Sequence, residues 1–102
     1  MGSAGTYSCV NCRYTAEWVT ADFDCGFSGE VVTPIACPEH GLVQVDTGLS
    51  ARDDRHWAEH KRDRYPCPAC GEERRVWDRR TCPLCGNVRA ENEGWFPGIN
   101  WD

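Results

Sequence analysis

Cys67-Pro68-Ala69-Cys70-Gly71 and Cys82-Pro83-Leu84-Cys85-Gly86 decide the fold of this chain. The two stretches are near copies, with Pro after the first Cys and Gly after the second. Proline fixes one dihedral of a tight turn. Glycine accepts the positive φ that folds the chain back beneath a bound ion. A two-residue gap aims two sulfurs at one point, and zinc takes four thiolate or imidazole ligands in a tetrahedron, so two facing turns close a site. Outward from here, Cys9-Val10-Asn11-Cys12 repeats the gap, and Cys37-Pro38-Glu39-His40 repeats it with His as the second ligand.

Neighbouring turns are expected to pair. Cys67, Cys70, Cys82 and Cys85 then form a four-thiolate site, with the eleven residues Gly71 to Thr81 making a short hairpin between them. Cys9, Cys12, Cys37 and His40 form a site of three thiolates and one imidazole. Cys25 is left over. It reads as an alternative fourth ligand, a small buried apolar residue or a reactive thiol. His40 is preferred as ligand because it shares one turn with Cys37.

The C-P-x-C-G pair resembles the knuckles of zinc ribbons and rubredoxin-like proteins over residues 65–90. The C-x-x-C and C-P-x-H turns of residues 9–40 also resemble a zinc ribbon. The resemblance implies metal-capped β-hairpins but no particular activity, because ribbons serve many functions. It implies two Zn2+ ions, with iron in the four-thiolate site as the rubredoxin-like alternative. A disulfide framework would need an oxidising compartment, and nothing in the sequence signals export. The expected location is cytoplasmic.

The fold class expected is small, metal-stabilised and mostly β: two zinc ribbons joined by a short helix. The N-terminal ribbon takes residues 1–48, a helical linker 49–64, the C-terminal ribbon 65–91 and an aromatic tail 92–102. Tyr14, Ala16 and Trp18 alternate with Arg13, Thr15 and Glu17, which predicts a strand. Val31–Ala36, with Pro34 at an edge, and Leu42–Asp46 are further strands. Ser50 as N-cap and Asp53 at the third helical position start the linker helix, which ends before Pro66. Met1–Gly5 reads as flexible.

Composition supports metal dependence. Of 102 residues, Leu, Ile, Val and Phe number 16, too few for an apolar core to order the chain unaided. A structural zinc supplies on the order of 10 kcal/mol. No apolar run exceeds the three residues Ile35, Ala36 and Cys37, and Val31–Val32 and Trp95–Phe96 are shorter still, so no segment suits a membrane. No small-molecule substrate is evident.

The net charge of −5 is uneven: residues 1–48 carry −5, 49–90 carry +3 and 91–102 carry −3. A chain wrapping a phosphate backbone usually shows an overall basic face. Here only the arginine-rich stretch 52–80, with Arg74, Arg75, Arg79 and Arg80, offers one. Nucleic acid is therefore the alternative partner and protein the preferred one.

His56-Trp57-Ala58-Glu59-His60 matches H-x-x-E-H, an inverted zinc-protease pattern. Catalysis would need a third ligand and a cleft, and little chain remains to build them. Two surface histidines are the simpler reading. The tail Gly94–Asp102 shows neither helical nor strand period, and Pro97 with its two glycines opposes regular structure. Trp95, Phe96 and Trp101 are its candidate partner-binding residues. The functional expectation is a non-catalytic zinc-binding adaptor or small subunit, since four protein ligands leave no open coordination position.

Overall fold

The computed structural model describes residues 2–26, 29–91 and 93–101; of Ile99, Asn100 and Trp101 only the backbone is described. The chain is mostly β. Its strands are β1 (Gly2–Ser8), β2 (Thr15–Thr20), β3 (Asp24–Cys25), β4 (Glu30–Cys37), β5 (Gly41–Ser50), β6 (Arg64–Pro66), β7 (Glu73–Arg75) and β8 (Trp95–Trp101). They form an antiparallel sheet in the order β2-β1-β8, a second in the order β3-β4-β5, and the β6-β7 hairpin.

Hairpin β4–β5 runs from Cys37↔Gly41 at its tip to Glu30↔Ser50. Beyond two-residue β3, which pairs only with Val31 and Val32, no further named strand runs along the outer edge of β4 among the described residues. Pro34 falls on that stretch, where a missing N–H costs no ladder bond. The same edge receives the end of the β6–β7 hairpin. Ile35 bridges Val76, and the Trp77 N–H donates to the Pro34 carbonyl at 2.9 Å.

The expected linker helix is absent, and a single 3₁₀ turn at Trp57–His60 takes its place. Ser50, expected as its N-cap, is the last residue of β5; its Oγ does accept the Asp53 N–H at 3.2 Å, but in a turn and not at a helix start. The turn does not propagate. A short helix gains its stability by packing an apolar face, and this segment has only Ala51, Trp57 and Ala58 to pack. Asp54 instead accepts the His56 N–H at 2.8 Å and restarts the chain in a tighter turn.

Both chain ends also differ from expectation. Of the stretch read as flexible, residues 2–5 belong to β1, the central strand of its sheet, and of the tail read as irregular, Trp95–Trp101 form β8, its edge; Met1 and Asp102 lie outside the described residues. Pro97 is tolerated because β8 is an edge strand and the ladder shifts there, from Ala4↔Ile99 to Gly5↔Pro97. Gly5 is required by this approach, since a Cβ would collide with the Phe96 carbonyl.

The apolar core is split in two, and each half contains cysteines. One cluster joins Tyr7, Val19 and Trp77 to Cys9 and Cys82. The other joins Ile35, Val45 and Tyr65 to Cys37 and Cys67. Trp77 ties the halves together. It is 1% exposed, meets Tyr7 edge-on with centroids 4.8 Å apart, and its indole donates to the Thr81 carbonyl at 2.8 Å.

Arg79 is buried beside it, contrary to its expected place on a basic surface. Its guanidinium lies 5.0 Å from the Trp77 ring centroid and 4.8 Å from that of Trp95, and donates to the Thr20 carbonyl at 3.0 Å. The two indole faces, the carbonyl and the Asp22 carboxylate 3.4 Å away make burial of this cation tolerable. The basic stripe is thus broken near its C-terminal end.

Candidate metal centres

Every knuckle sits at the tip of a hairpin. Cys9–Cys12 lies between β1 and β2, closed by the Ser8↔Thr15 pair. Cys37–His40 caps β4–β5, and Cys67–Cys70 lies between Pro66 and its partner Glu73. Cys82–Cys85 lies inside the Thr81↔Val88 bridge. The local geometry repeats as well. The N–H of Cys9, Cys67 and Cys82 donates to the carbonyl five residues on, at 2.8, 2.8 and 2.9 Å respectively. The residue four after the first ligand always has positive φ: Arg13 at 65°, Gly41 at 80°, Gly71 at 78° and Gly86 at 75°.

The tips meet in a nested order. Cys9, Cys12, Cys82 and Cys85 form an outer quartet, and Cys37, His40, Cys67 and Cys70 an inner one; within each, one ligand atom per residue lies within 4.8 Å of all the others. This corrects the expected grouping: the first knuckle joins the fourth, and the second joins the third. The four-thiolate set therefore draws on both ends of the chain, and His40 belongs with Cys67 and Cys70. Boundaries drawn at residues 48 and 65 cut through both quartets. Cys25 belongs to neither. It lies half-buried in β3, opposite Val31.

The separations suit a tetrahedral ion. Cys9 and Cys85 sulfurs are 3.7 Å apart, Cys12 and Cys82 3.6 Å, and Cys37 and Cys70 3.9 Å. Cys37 Sγ is 3.4 Å from His40 Nδ1. Bonds of about 2.3 Å to sulfur and about 2.0 Å to nitrogen give tetrahedral edges of about 3.8 and about 3.5 Å. A disulfide would need about 2.05 Å, and all eight cysteines are free.

The electrostatics also call for a cation. Burial opposes ionisation of Cys9 and Cys37, yet backbone N–H groups of their own turns pull both thiols below the usual range. The Asn11 amide, 3.5 Å from the sulfur, and then the Asn87 N–H lower Cys85 to about 6. The Tyr14 backbone pulls Cys12 down, but burial and its three sulfur neighbours prevail and push it up to about 12. Burial chiefly raises Cys67 and Cys82. Each turn thus favours thiolates, while the crowded sulfurs resist ionising together; a divalent ion removes that conflict.

Supporting groups stand ready around both quartets. Arg74 Nη2 donates to Cys70 Sγ at 3.7 Å. The buried Tyr7 hydroxyl lies beside the Cys82 sulfur and has no other acceptor, so a metal-bound thiolate there would satisfy it. Sequence does not single out Asn11 or Tyr7, and shows Arg74 only as part of a basic stretch. Asn11 sits inside a C-x-x-C turn, where a side-chain amide next to a ligand is a usable signal; Arg74 reaches a sulfur only four residues back in its own hairpin, whereas Tyr7 depends on tertiary placement.

The remaining candidates lie elsewhere. His56 and His60 are exposed and pair with Glu59 at 4.0 Å and Asp54 at 3.7 Å. Neither joins a metal-binding group among the described residues. Trp95 is half-buried, donating its indole N–H to the Val19 carbonyl at 3.0 Å. Phe96 is exposed, and the Trp101 side chain lies outside what is described. No helix among the described residues is long and apolar enough to cross a membrane. No protein-family model, curated protein or solved structure matches this chain significantly.

Proposed function

We propose that this chain is a non-catalytic two-zinc module that works by binding a partner protein. The carrying observation is that each quartet supplies four protein ligands at tetrahedral separations, which leaves no coordination position for a substrate. Zinc suits both sets, and the imidazole of the inner one favours it over iron. Zinc-bound thiols fit a reducing, cytoplasmic setting.

The proposed contact face is the outer side of the β2-β1-β8 sheet. Thr6 pairs with Phe96, and Glu17 and Trp18 bulge opposite Thr6, since the register steps from Gly5↔Val19 to Tyr7↔Ala16. Trp18 is 62% and Phe96 64% exposed, and Trp18 holds a φ of 61° that a bulky residue rarely adopts. Two exposed aromatics in one cross-strand row, one of them on strained backbone, support a binding role.

Native mass spectrometry on protein from its own source should find two zincs per chain, and a protein loaded with iron or no metal would overturn the metal assignment. A Trp18→Ser, Phe96→Ser double variant should keep both zincs while losing the partner that co-purifies with the unaltered chain. Undiminished co-purification would remove this face from the reading.

A further inference from the structure

A cleft of about 500 Å³ opens between the two quartets, in the size range of small-ligand sites. Ala36 and Val76 contribute apolar lining, and Pro38 and Pro83 bring in one knuckle from each quartet. Arg64 and Arg75 also line it.

These two arginines are direct cross-strand partners in β6–β7. Side chains so placed share one face, with Cβ atoms about 5 Å apart, and like charges there repel. The surroundings do little to relieve them. Among the described residues, neither Arg64 nor Arg75 makes an ion pair within 4 Å. Both acids of the cleft are engaged elsewhere. Glu73 pairs with Arg62 at 3.2 Å. Asp78 accepts the N–H groups of Arg80 and Thr81 at 2.8 Å and the Thr81 hydroxyl at 2.7 Å. Arg74, also in the lining, is committed to Cys70.

We propose that this cleft is a binding site for a phosphate group, with Arg64 and Arg75 as its forked donors. Two adjacent cations without partners call for two negative charges on one small group. A phosphate monoester carries nearly that charge, with three acceptor oxygens, at neutral pH; a carboxylate brings one charge. Guanidinium forks match phosphate oxygens two at a time. The net charge of −5 opposes tracking a long polyanion, so the inferred ligand is a single phosphorylated group. The site is separate from the aromatic face proposed above and does not depend on it.

The test is an amide NMR titration of the zinc-loaded full chain with inorganic phosphate, above its second ionisation, against acetate and chloride at matched ionic strength. Saturable shifts are expected at residues 64–65 and 73–76, with acetate at least about tenfold weaker. Arg64→Gln and Arg75→Gln should each weaken phosphate about tenfold while keeping both zincs. Phosphate shifts no larger than those of chloride, acetate binding equally well, or unchanged binding in both variants would overturn the site. If the Gln variants lose metal, Arg64→Lys and Arg75→Lys decide. Restored metal with weakened phosphate supports the fork, and restored metal with full phosphate binding overturns it. A mononucleotide and a phosphoserine peptide then distinguish a free metabolite from a modified protein as source. An oligonucleotide binding by length rather than by its terminal phosphate would count against a single-group site.

Discussion

The two quartets are built from one knuckle design but close very different lengths of chain. Twenty-six residues separate His40 from Cys67 in the inner quartet, and sixty-nine separate Cys12 from Cys82 in the outer one. The outer loop costs about 1 kcal/mol more to close from an open chain. It also contains the whole inner quartet, so closing the inner one first shortens it. The inner site needs only two adjacent hairpins that meet through Ile35 and Val76, whereas the outer site must bring the first and last knuckles together. Nesting therefore suggests an order of assembly: the inner hairpins form a unit, and the ends of the chain lock around it.

Removing the metal should have the largest effect. Loss of both ions withdraws on the order of 10 kcal/mol per structural site, more than a chain this poor in large aliphatics can replace. Chelation should collapse the amide NMR dispersion of both regions. A chelated sample that keeps native dispersion would break the view that metals hold the fold. Partial chelation sharpens the comparison: the outer quartet, with Cys12 and Cys85 both exposed, should release its ion first.

Ligand variants divide the two regions more cleanly. Cys67→Ser should abolish both sites, because the outer closure depends on the inner unit being in place. Cys85→Ser should leave a one-zinc protein whose β4, β5, β6 and β7 amides stay protected from hydrogen exchange. Native mass spectrometry and exchange together read this out. Equal losses from the two variants would mean that the quartets fold as one unit.

Trp77 is where the regions communicate. Its backbone reaches Pro34 beside the inner site, and its ring packs on Tyr7 beside the outer one. Trp77→Ala should cost about 3–5 kcal/mol in denaturant unfolding, with the outer quartet losing metal affinity most. A smaller cost shared equally between the sites would show that Trp77 only fills space.

What the sequence revealed follows the same division between local and long-range. All eight ligands stand out because a two-residue gap is a local constraint that Pro38, Pro68 and Pro83 reinforce. Their pairing does not, because four equivalent knuckles carry no label for their partner. Only the docking of β6–β7 on β4 selects the nested arrangement. The strands of β4 and β5 are legible in the run from Val31 to Asp46. The tail escapes a periodicity reading because Pro97 and Gly98 interrupt it, yet it is held by pairing with β1, whose own small residues carry no strand pattern. Arg79 misleads for a related reason: composition places an arginine at the surface, and the tertiary placement of Trp77, Trp95, the Thr20 carbonyl and Asp22 makes a buried position available.

Asp78 offers a smaller, pH-dependent probe of the outer region. Burial opposes its ionisation, but the Thr81 hydroxyl and the N–H groups of Thr81 and Arg80 prevail and hold its carboxyl below the usual range. A carboxyl lowered by folding contributes stability that is full above its ordinary pKa and is lost as pH falls through the lowered value. Because Asp78 is largely exposed, solvent screening limits the effect. Asp78→Ala should cost about 1 kcal/mol at neutral pH, as for other turn and cap carboxylates, and the difference from the unaltered chain should begin to narrow as pH falls through the ordinary carboxylate range, read only where the ligands still hold zinc. A difference independent of pH would assign the role to shape rather than charge.

The smallest effect tests the knuckle itself. Three of the four knuckles place glycine at the position of positive φ, and the first places Arg13 there at 65°. A side chain in that region costs about 1 kcal/mol relative to glycine. Arg13→Gly should therefore stabilise the outer quartet by a few tenths to about 1 kcal/mol, the lower end reflecting the unfolded-state freedom that glycine adds. The reverse changes calibrate it. Gly71→Ala and Gly86→Ala meet open space, so their cost is backbone strain alone, about 1 kcal/mol each. Gly41→Ala should cost more, because its Cβ would strike the Tyr14 hydroxyl. That hydroxyl accepts the Leu42 N–H at 2.8 Å and joins the first knuckle to the second across the two quartets. Denaturant unfolding of the zinc-loaded variants measures all four. If Arg13→Gly instead weakens the outer site, the Arg13 side chain contributes more than its backbone costs, and the first knuckle is not equivalent to the other three.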